Sequence, residues 1–346
     1  MSRYYQDILR QPSQLITSLR YHTSEGKTGM REAFRKLSHS RHVFIVGIGA
    51  SWNAGLAVQY SLNTAGITSQ LCDASEFYHY ARLPKESAVL FLSRSGKSIE
   101  IVHSMDKCRE AGAAMIAITN DPDSPLGRGV DLCLPTSVAF DHAISVNTYS
   151  SIILTGHLLA QCGDDAFFDS PTIPGMENDL SAISTWIPRW EKAIDEMEWS
   201  ASSFYYFLAR GNSLASAFES ALLWEEGAKY PATAMSTGTF RHGPQEIIGD
   251  TIHIILWIDK GPARQYDRQL AADLRAAGAN VTVIGNTERE DTAFRQIEVP
   301  VVQEGLRPLV NIIPMQLAAQ RFAKKRGEDS DGFRYCSFVV EKEGGL

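Results

Sequence analysis

Residues 109–120 (REAGAAMIAITN) and 275–286 (RAAGANVTVIGN) align without a gap. Two copies of one stretch imply two copies of one fold, so this repeat limits the chain more than any single motif. Carried backwards at the same offset, it lays the apolar run Ile254 to Ile258 over Ala88 to Leu92. With a short gap it lays Gly211 and Ser213 over Gly49 and Ser51. The halves therefore begin near residues 42 and 204.

In the first half, apolar runs of strand length (His42–Val46, Ser69–Cys72, Ala88–Leu92, Ala114–Thr119) alternate with helical patterns from Ser51 to about Ala65 and from Ile99 to Gly112. Strands apolar on both faces and separated by helices predict a parallel, doubly wound sheet. Two helical patterns, about 3–20 and 27–38, precede the first strand. Residues 164–180, rich in Asp, Pro and Gly, read as a linker, and a long helical stretch follows to about 198. The expected division is N-terminal helices over 1–40, a first domain over 41–163, a linker and connecting helix over 164–198, and a second domain with the C-terminal tail over 199–346.

The 346 residues are 44% apolar, enough for a buried core in each half, and their net charge of -7 is the wrong sign for a general nucleic-acid binder. The longest apolar stretches, near 151–160 and 252–258, are too short to span a bilayer, and no apolar leader opens the chain, so a cytoplasmic protein without a membrane partner is expected. Cys72, Cys108, Cys133, Cys162 and Cys336 are widely spaced without a CxxC pair and read as reduced core residues.

The chemistry begins at LSRSGKS. The apolar run ends at Ser93 and turns at once into a loop with hydroxyls at Ser93, Ser95 and Ser98 and a permissive Gly96. The helix that starts at Ile99 presents free amides and the positive end of its dipole. That arrangement suits a phosphate monoester; the alternative is that Ser98 merely caps the helix and the other serines face solvent. In the second half Asp259, Lys260 and Gly261 stand over Ser93, Arg94 and Ser95, and an aspartate there would repel phosphate. One anion site per chain is expected, in the first half. VGIGASWNAG (46–55) lacks the third glycine of a dinucleotide fingerprint, so no nucleotide cofactor is expected. The nine histidines show no metal-ligand spacing.

The helix predicted from about Leu214 to Lys229 carries Glu219, Glu225 and Glu226, and a partly buried carboxylate can have the raised pKa of a general base. Position alone does not choose among the three. STGTFRHGPQE (236–246) has no periodicity and exposes His242 on a loop pinned by Gly243 and Pro244.

VGIGASWNAG, DASEFYHY, LSRSGKS, ESALLWEEGAKY, FRHGPQEII and PMQLAAQ, in this order over about residues 40–340, resemble the double sugar isomerase (SIS) domain family. That family includes the isomerase half of glutamine:fructose-6-phosphate aminotransferase, sugar-phosphate isomerases, amino-sugar phosphate deaminases and fructosamine-6-phosphate deglycases. The resemblance implies two tandem SIS domains of α/β class, each a three-layer sandwich around a parallel sheet. It also implies that Ser51, Ser93, Ser95 and Ser98 hold the substrate phosphate, that Glu226 moves a proton between C1 and C2, and that His242 helps open the sugar ring. In the family that histidine reaches into the neighbouring subunit's site, which implies a homodimer with shared sites. No cofactor is implied.

The chain departs from the pattern in several places. Leu223 stands where the aminotransferase has a catalytic lysine, and Asp329 to Val340 (DSDGFRYCSFVV) holds no lysine to form an imine. Met1 and Ser2 lead directly into the isomerase part, so glutamine hydrolysis within this chain is not expected. Ala50 replaces a hydroxyl residue, and Arg94 replaces an amide, which places a charge-assisted donor for phosphate in the serine loop. The expected function is isomerisation with amine release on a hexose 6-phosphate derivative. The alternatives are plain aldose–ketose isomerisation and a sugar-phosphate-sensing regulatory protein.

Overall fold

The apolar runs become the inner strands of two separate sheets. The computed structural model describes residues 1–164, 166–286 and 294–344. Strands β1 (His42–Gly47), β2 (Ser69–Asp73), β3 (Ser87–Ser93), β4 (Ala114–Thr119) and β5 (Leu132–Pro135) pair in parallel in the order β2-β1-β3-β4-β5. All seven residues of β3 are buried. Each of Val89, Leu90, Phe91 and Leu92 stabilises the fold by about 1.5–3 kcal/mol through burial, which fixes β3 as the centre of its sheet.

Helices α1 (Arg3–Thr23) and α2 (Lys27–Ser38) lead into this half, as the sequence predicts. Between its strands run α3 (Ala50–Thr64), α4 (Ala74–Tyr80), α5 (Ile99–Ala111) and α6 (Pro125–Gly129), and α7 (Asn147–Gln161) follows β5. On one face of the sheet, Phe77 of α4 and Ile101, Met105 and Cys108 of α5 close a core over Phe44, Val46, Val89, Phe91 and Met115.

The next helix, α8 (Thr172–Asp195), begins inside the stretch expected to be a linker. Its Pro174 lies in the first turn, where a missing N–H costs nothing, so proline there starts a helix instead of breaking one.

The second sheet is built from β6 (Phe204–Ala209), β7 (Ala232–Ser236), β8 (Ile252–Ile258), β9 (Asn280–Gly285) and β10 (Arg295–Glu298), in the order β10-β9-β8-β6-β7. Taken from the other edge, this is the connectivity of the first sheet. Helices α9 (Leu214–Glu226), α10 (Thr237–Phe240), α11 (Arg264–Ala276), α12 (Arg307–Asn311) and α13 (Ile313–Arg326) complete it. Leu270, Ala271 and Leu274 of α11 pack on Ile252, Ile254 and Leu256. Trp224 of α9 lies 5.0 Å from Phe207 of β6 and 6.0 Å from Phe322 of α13, ring to ring. Two tandem three-layer α/β sandwiches result. The repeat extends to backbone detail, since Gly49 and Gly211 both adopt a φ of 56°.

By contact the chain forms two units. Arg10–Ser181 surround the first sheet together with the C-terminal segment from Gly332, and Met1–Leu9 with Ala182–Asp331 surround the second. The division drawn from sequence attached that segment to the second half. All five cysteines are free thiols, but Cys336 is exposed on the C-terminal segment, not in a core. Among the described residues no helix is long and apolar enough to cross a membrane.

Candidate active site

In an open parallel sheet, ligands bind beyond the carboxyl ends of the strands where the strand order reverses. In the first sheet that point lies between β1 and β3. β1 delivers Gly49, whose left-handed backbone turns the chain into α3, with Ser51 buried in the first helical turn. β3 delivers the serine loop.

Within the loop the Ser93 Oγ accepts the Gly96 N–H at 3.0 Å, and the Ser95 Oγ accepts the Lys97 N–H at 3.2 Å. Both side chains are buried, and each bond uses the hydroxyl as acceptor, so its proton remains a donor for an anion. Gly96 has a φ of 62°, and a Cβ there would lie 2.0 Å from the Ser124 Oγ, so only glycine fits. Ser98 occupies the N-cap of α5 without making a side-chain capping bond. The structure therefore does not show the simple capping role that was the alternative for this residue. Lys97 pairs with Asp121 at 3.2 Å.

The side chain of Arg94 makes contacts of its own within the first unit. Its guanidinium donates to the Ala143 carbonyl at 2.6 Å and the Phe338 carbonyl at 3.2 Å, and lies 4.0 Å from the centre of the Phe338 ring. Its backbone carbonyl accepts the Asn120 N–H at 3.2 Å and the Thr119 hydroxyl at 3.3 Å, which ties the loop to the end of β4. Thr119, Asn120, Ser124 and the C-terminal segment thus frame the loop. The sequence places Thr119 and Asn120 only at the end of the repeated strand and does not single out Ser124, because isolated hydroxyl and amide residues carry no pattern of their own.

The corresponding point of the second sheet lies between β6 and β8. There the Asp259 carboxylate accepts the Ser213 hydroxyl at 2.5 Å and lies 3.5 Å from the Arg307 guanidinium. Asn311 Nδ2 donates to the Ser213 Oγ at 2.7 Å, and Ser216 donates to Asn311 Oδ1 at 2.6 Å. Burial raises the Asp259 pKa above the usual carboxylate value, opposed by Arg307 and the Ser213 hydrogen bond. The second half thus carries its own carboxylate at the point where the first half presents hydroxyls.

The second unit also holds the carboxylates of α9. Glu219 is buried, Glu225 exposed, and Glu226 half-buried as the last helical residue. Desolvation raises the Glu225 pKa, offset by a hydrogen bond from the Ala232 backbone. The helix ends at Glu226, short of the expected Lys229. Lys229 has a φ of 53°, and its Nζ donates to the Glu226 carbonyl. The rings around Trp224 anchor α9 from its buried side and so set the direction of the neighbouring glutamates.

His242 follows α10 on an exposed turn, its N–H donating to the Thr239 carbonyl at 3.0 Å. Gly243 (φ 125°) turns the chain into the single turn Pro244–Ile247, whose Ile247 is also exposed. An imidazole and an isoleucine on one exposed turn are available to groups outside the unit.

Residues 36–161 match the SIS domain. The chain is 27% identical to the glutamine–fructose-6-phosphate aminotransferase [isomerizing] of Escherichia coli K12, over 99% of its own length and 59% of that protein's. It therefore spans well under two thirds of the curated relatives it matches. Among solved structures, the C-terminal domain of glucosamine-fructose-6-phosphate aminotransferase from Francisella tularensis superposes with a TM-score of 0.84 at 20% identity, covering 96% of this chain and 98% of that one. Glucosamine-6-phosphate deaminase from Thermotoga maritima superposes with a TM-score of 0.82 at 20% identity, covering 98% and 99%. Residues 36–161 thus carry an SIS domain, and over nearly its whole length the chain is similar in sequence to the isomerase portion of that aminotransferase and shares the doubled fold of these structures.

Proposed function

We propose that this chain is a phosphosugar isomerase-type enzyme that moves a proton between C1 and C2 of a hexose 6-phosphate derivative and releases its amine, acting as an amino-sugar 6-phosphate deaminase or a fructosamine-6-phosphate deglycase. Leu223 carries the amine-release half of the reading. It stands one turn before Glu226, where the resemblance to the aminotransferase implies a lysine, and it is fully buried. Capturing ammonia on a ketone needs that ketone activated, normally as an imine with a lysine amine. A substrate that already carries nitrogen has no such need.

In a 2-amino aldose phosphate, Glu226 takes the C2 proton and returns it to C1. The C1 carbonyl oxygen ends as a hydroxyl and C2 as an imine; water then adds to C2 and ammonia leaves. In a ketose phosphate with an amine at C1, the shift runs from C1 to C2 and hydrolysis occurs at C1. The serine loop holds the phosphate, and His242, supplied across a homodimer, opens the ring.

The test offers the purified chain glucosamine 6-phosphate, a fructosamine 6-phosphate and plain hexose 6-phosphates, and scores amine release and sugar interconversion. Amine release is expected, and Glu226→Gln should lower kcat by about 10²–10⁴-fold with little change in KM. Synthesis of glucosamine 6-phosphate from fructose 6-phosphate and ammonia would overturn the reading. Efficient isomerisation of plain sugar phosphates alone would replace it with aldose–ketose isomerisation, and binding without turnover would favour a sensor.

A further inference from the structure

We propose that Arg94 is the positioning residue that ties the C-terminal segment, 332–344, across the mouth of the serine loop, and is not a ligand of the phosphate. The segment contains no helix or strand and leaves Tyr335, Phe338 and Val340 partly exposed. Contacts with the first unit hold it there. Arg94 grips it by a hydrogen bond to the Phe338 carbonyl and by stacking on the Phe338 ring, while its other arm reaches the Ala143 carbonyl. Two residues on, the Val340 carbonyl accepts the Ile99 N–H at 3.1 Å, at the N-terminus of α5. Beyond that, Glu343 pairs with His79 of α4 and lies 3.9 Å from His103 of α5.

The segment thus uses one amide of the helix end that the loop presents to an anion, and its first fastening is a residue of the loop itself. A planar guanidinium can donate to carbonyls on two separate stretches of chain while its flat face stacks on a ring; an ammonium is a point charge with no face to stack. Arginine at this position therefore serves the segment, and opening the loop involves releasing Phe338 from Arg94.

The proposal rests on the phosphate-loop reading only in its second readout. Arg94→Ala, Arg94→Lys and Phe338→Ala are compared with the unaltered chain. Cleavage at Arg334 and Lys342 by trypsin is followed by mass spectrometry of the intact chain, and binding of inorganic phosphate is followed by calorimetry. Arg94→Ala and Phe338→Ala should each speed cleavage about tenfold, the double variant should be no faster than either, and Arg94→Lys should recover little of the protection. Phosphate affinity should change less than about threefold in Arg94→Ala. Unaltered cleavage in both single variants overturns the proposal, and so does a tenfold loss of phosphate affinity in Arg94→Ala with the segment still protected. If the unaltered chain binds no phosphate, the phosphate-loop reading fails, and the cleavage rates alone decide the role of Arg94. Phe338→Ala alters only a partly exposed side chain, so the cleavage test stands even if Arg94→Ala does not fold.

Discussion

Ser95 is buried, and its oxygen accepts a backbone amide while its proton remains to be donated. Hydrogen bonds to charged groups are worth about 1.5–3 kcal/mol each, so Ser95→Ala should weaken binding of a sugar phosphate by roughly one to two orders of magnitude. Calorimetry on the folded variant measures this, and an unaltered affinity would remove the loop from the site. Ser93, Ser95 and Gly96 were legible in the sequence because loop, strand end and helix start are contiguous. The binding partners of Arg94 were not: Ala143 and Phe338 lie far along the chain, and a guanidinium beside serines suggests an anion equally well when it in fact holds carbonyls.

Among the elements, strands buried on both faces announced themselves, and β4 spans the predicted Ala114–Thr119. The edge strands β7 (ATAMS) and β10 (RQIE) did not, because half-exposed strands of four or five residues offer no continuous apolar run. The link between β3 and α5 depends on Gly96. An alanine there must adopt a left-handed backbone and also displace Ser124, which is held by its own bonds to Gly127 and Asp121. Gly112 also has a positive φ, 65°, but a Cβ there meets nothing within 4 Å. Gly96→Ala should therefore cost about 1–3 kcal/mol and Gly112→Ala less, with the difference read from urea unfolding midpoints. Equal midpoints for the two variants would show that the Ser124 contact does not constrain the loop.

For the whole molecule, the repeat read from two short stretches fixed the number of sheets, their starts near 42 and 204 and their common connectivity. It did not reveal where the C-terminal segment goes, because that segment has no counterpart in the first copy. The proposed homodimer makes a prediction at this scale. A Glu226→Gln chain and a His242→Ala chain, each inactive alone, should recover part of the activity when mixed under conditions of verified subunit exchange. Failure to recover would mean that each chain supplies its own histidine.

The carboxylate that occupies the second crevice has one more consequence. With Asp259 bound to Ser213 and 3.5 Å from Arg307, that half places its own carboxylate in its crevice. In the first half Ser93 stands at the corresponding position. Inorganic phosphate bound by the serine loop alone would therefore raise the resistance to unfolding of the first half by linkage. The duplicated architecture would then be unequal in durability, with the half that holds the phosphate gaining most from metabolite supply.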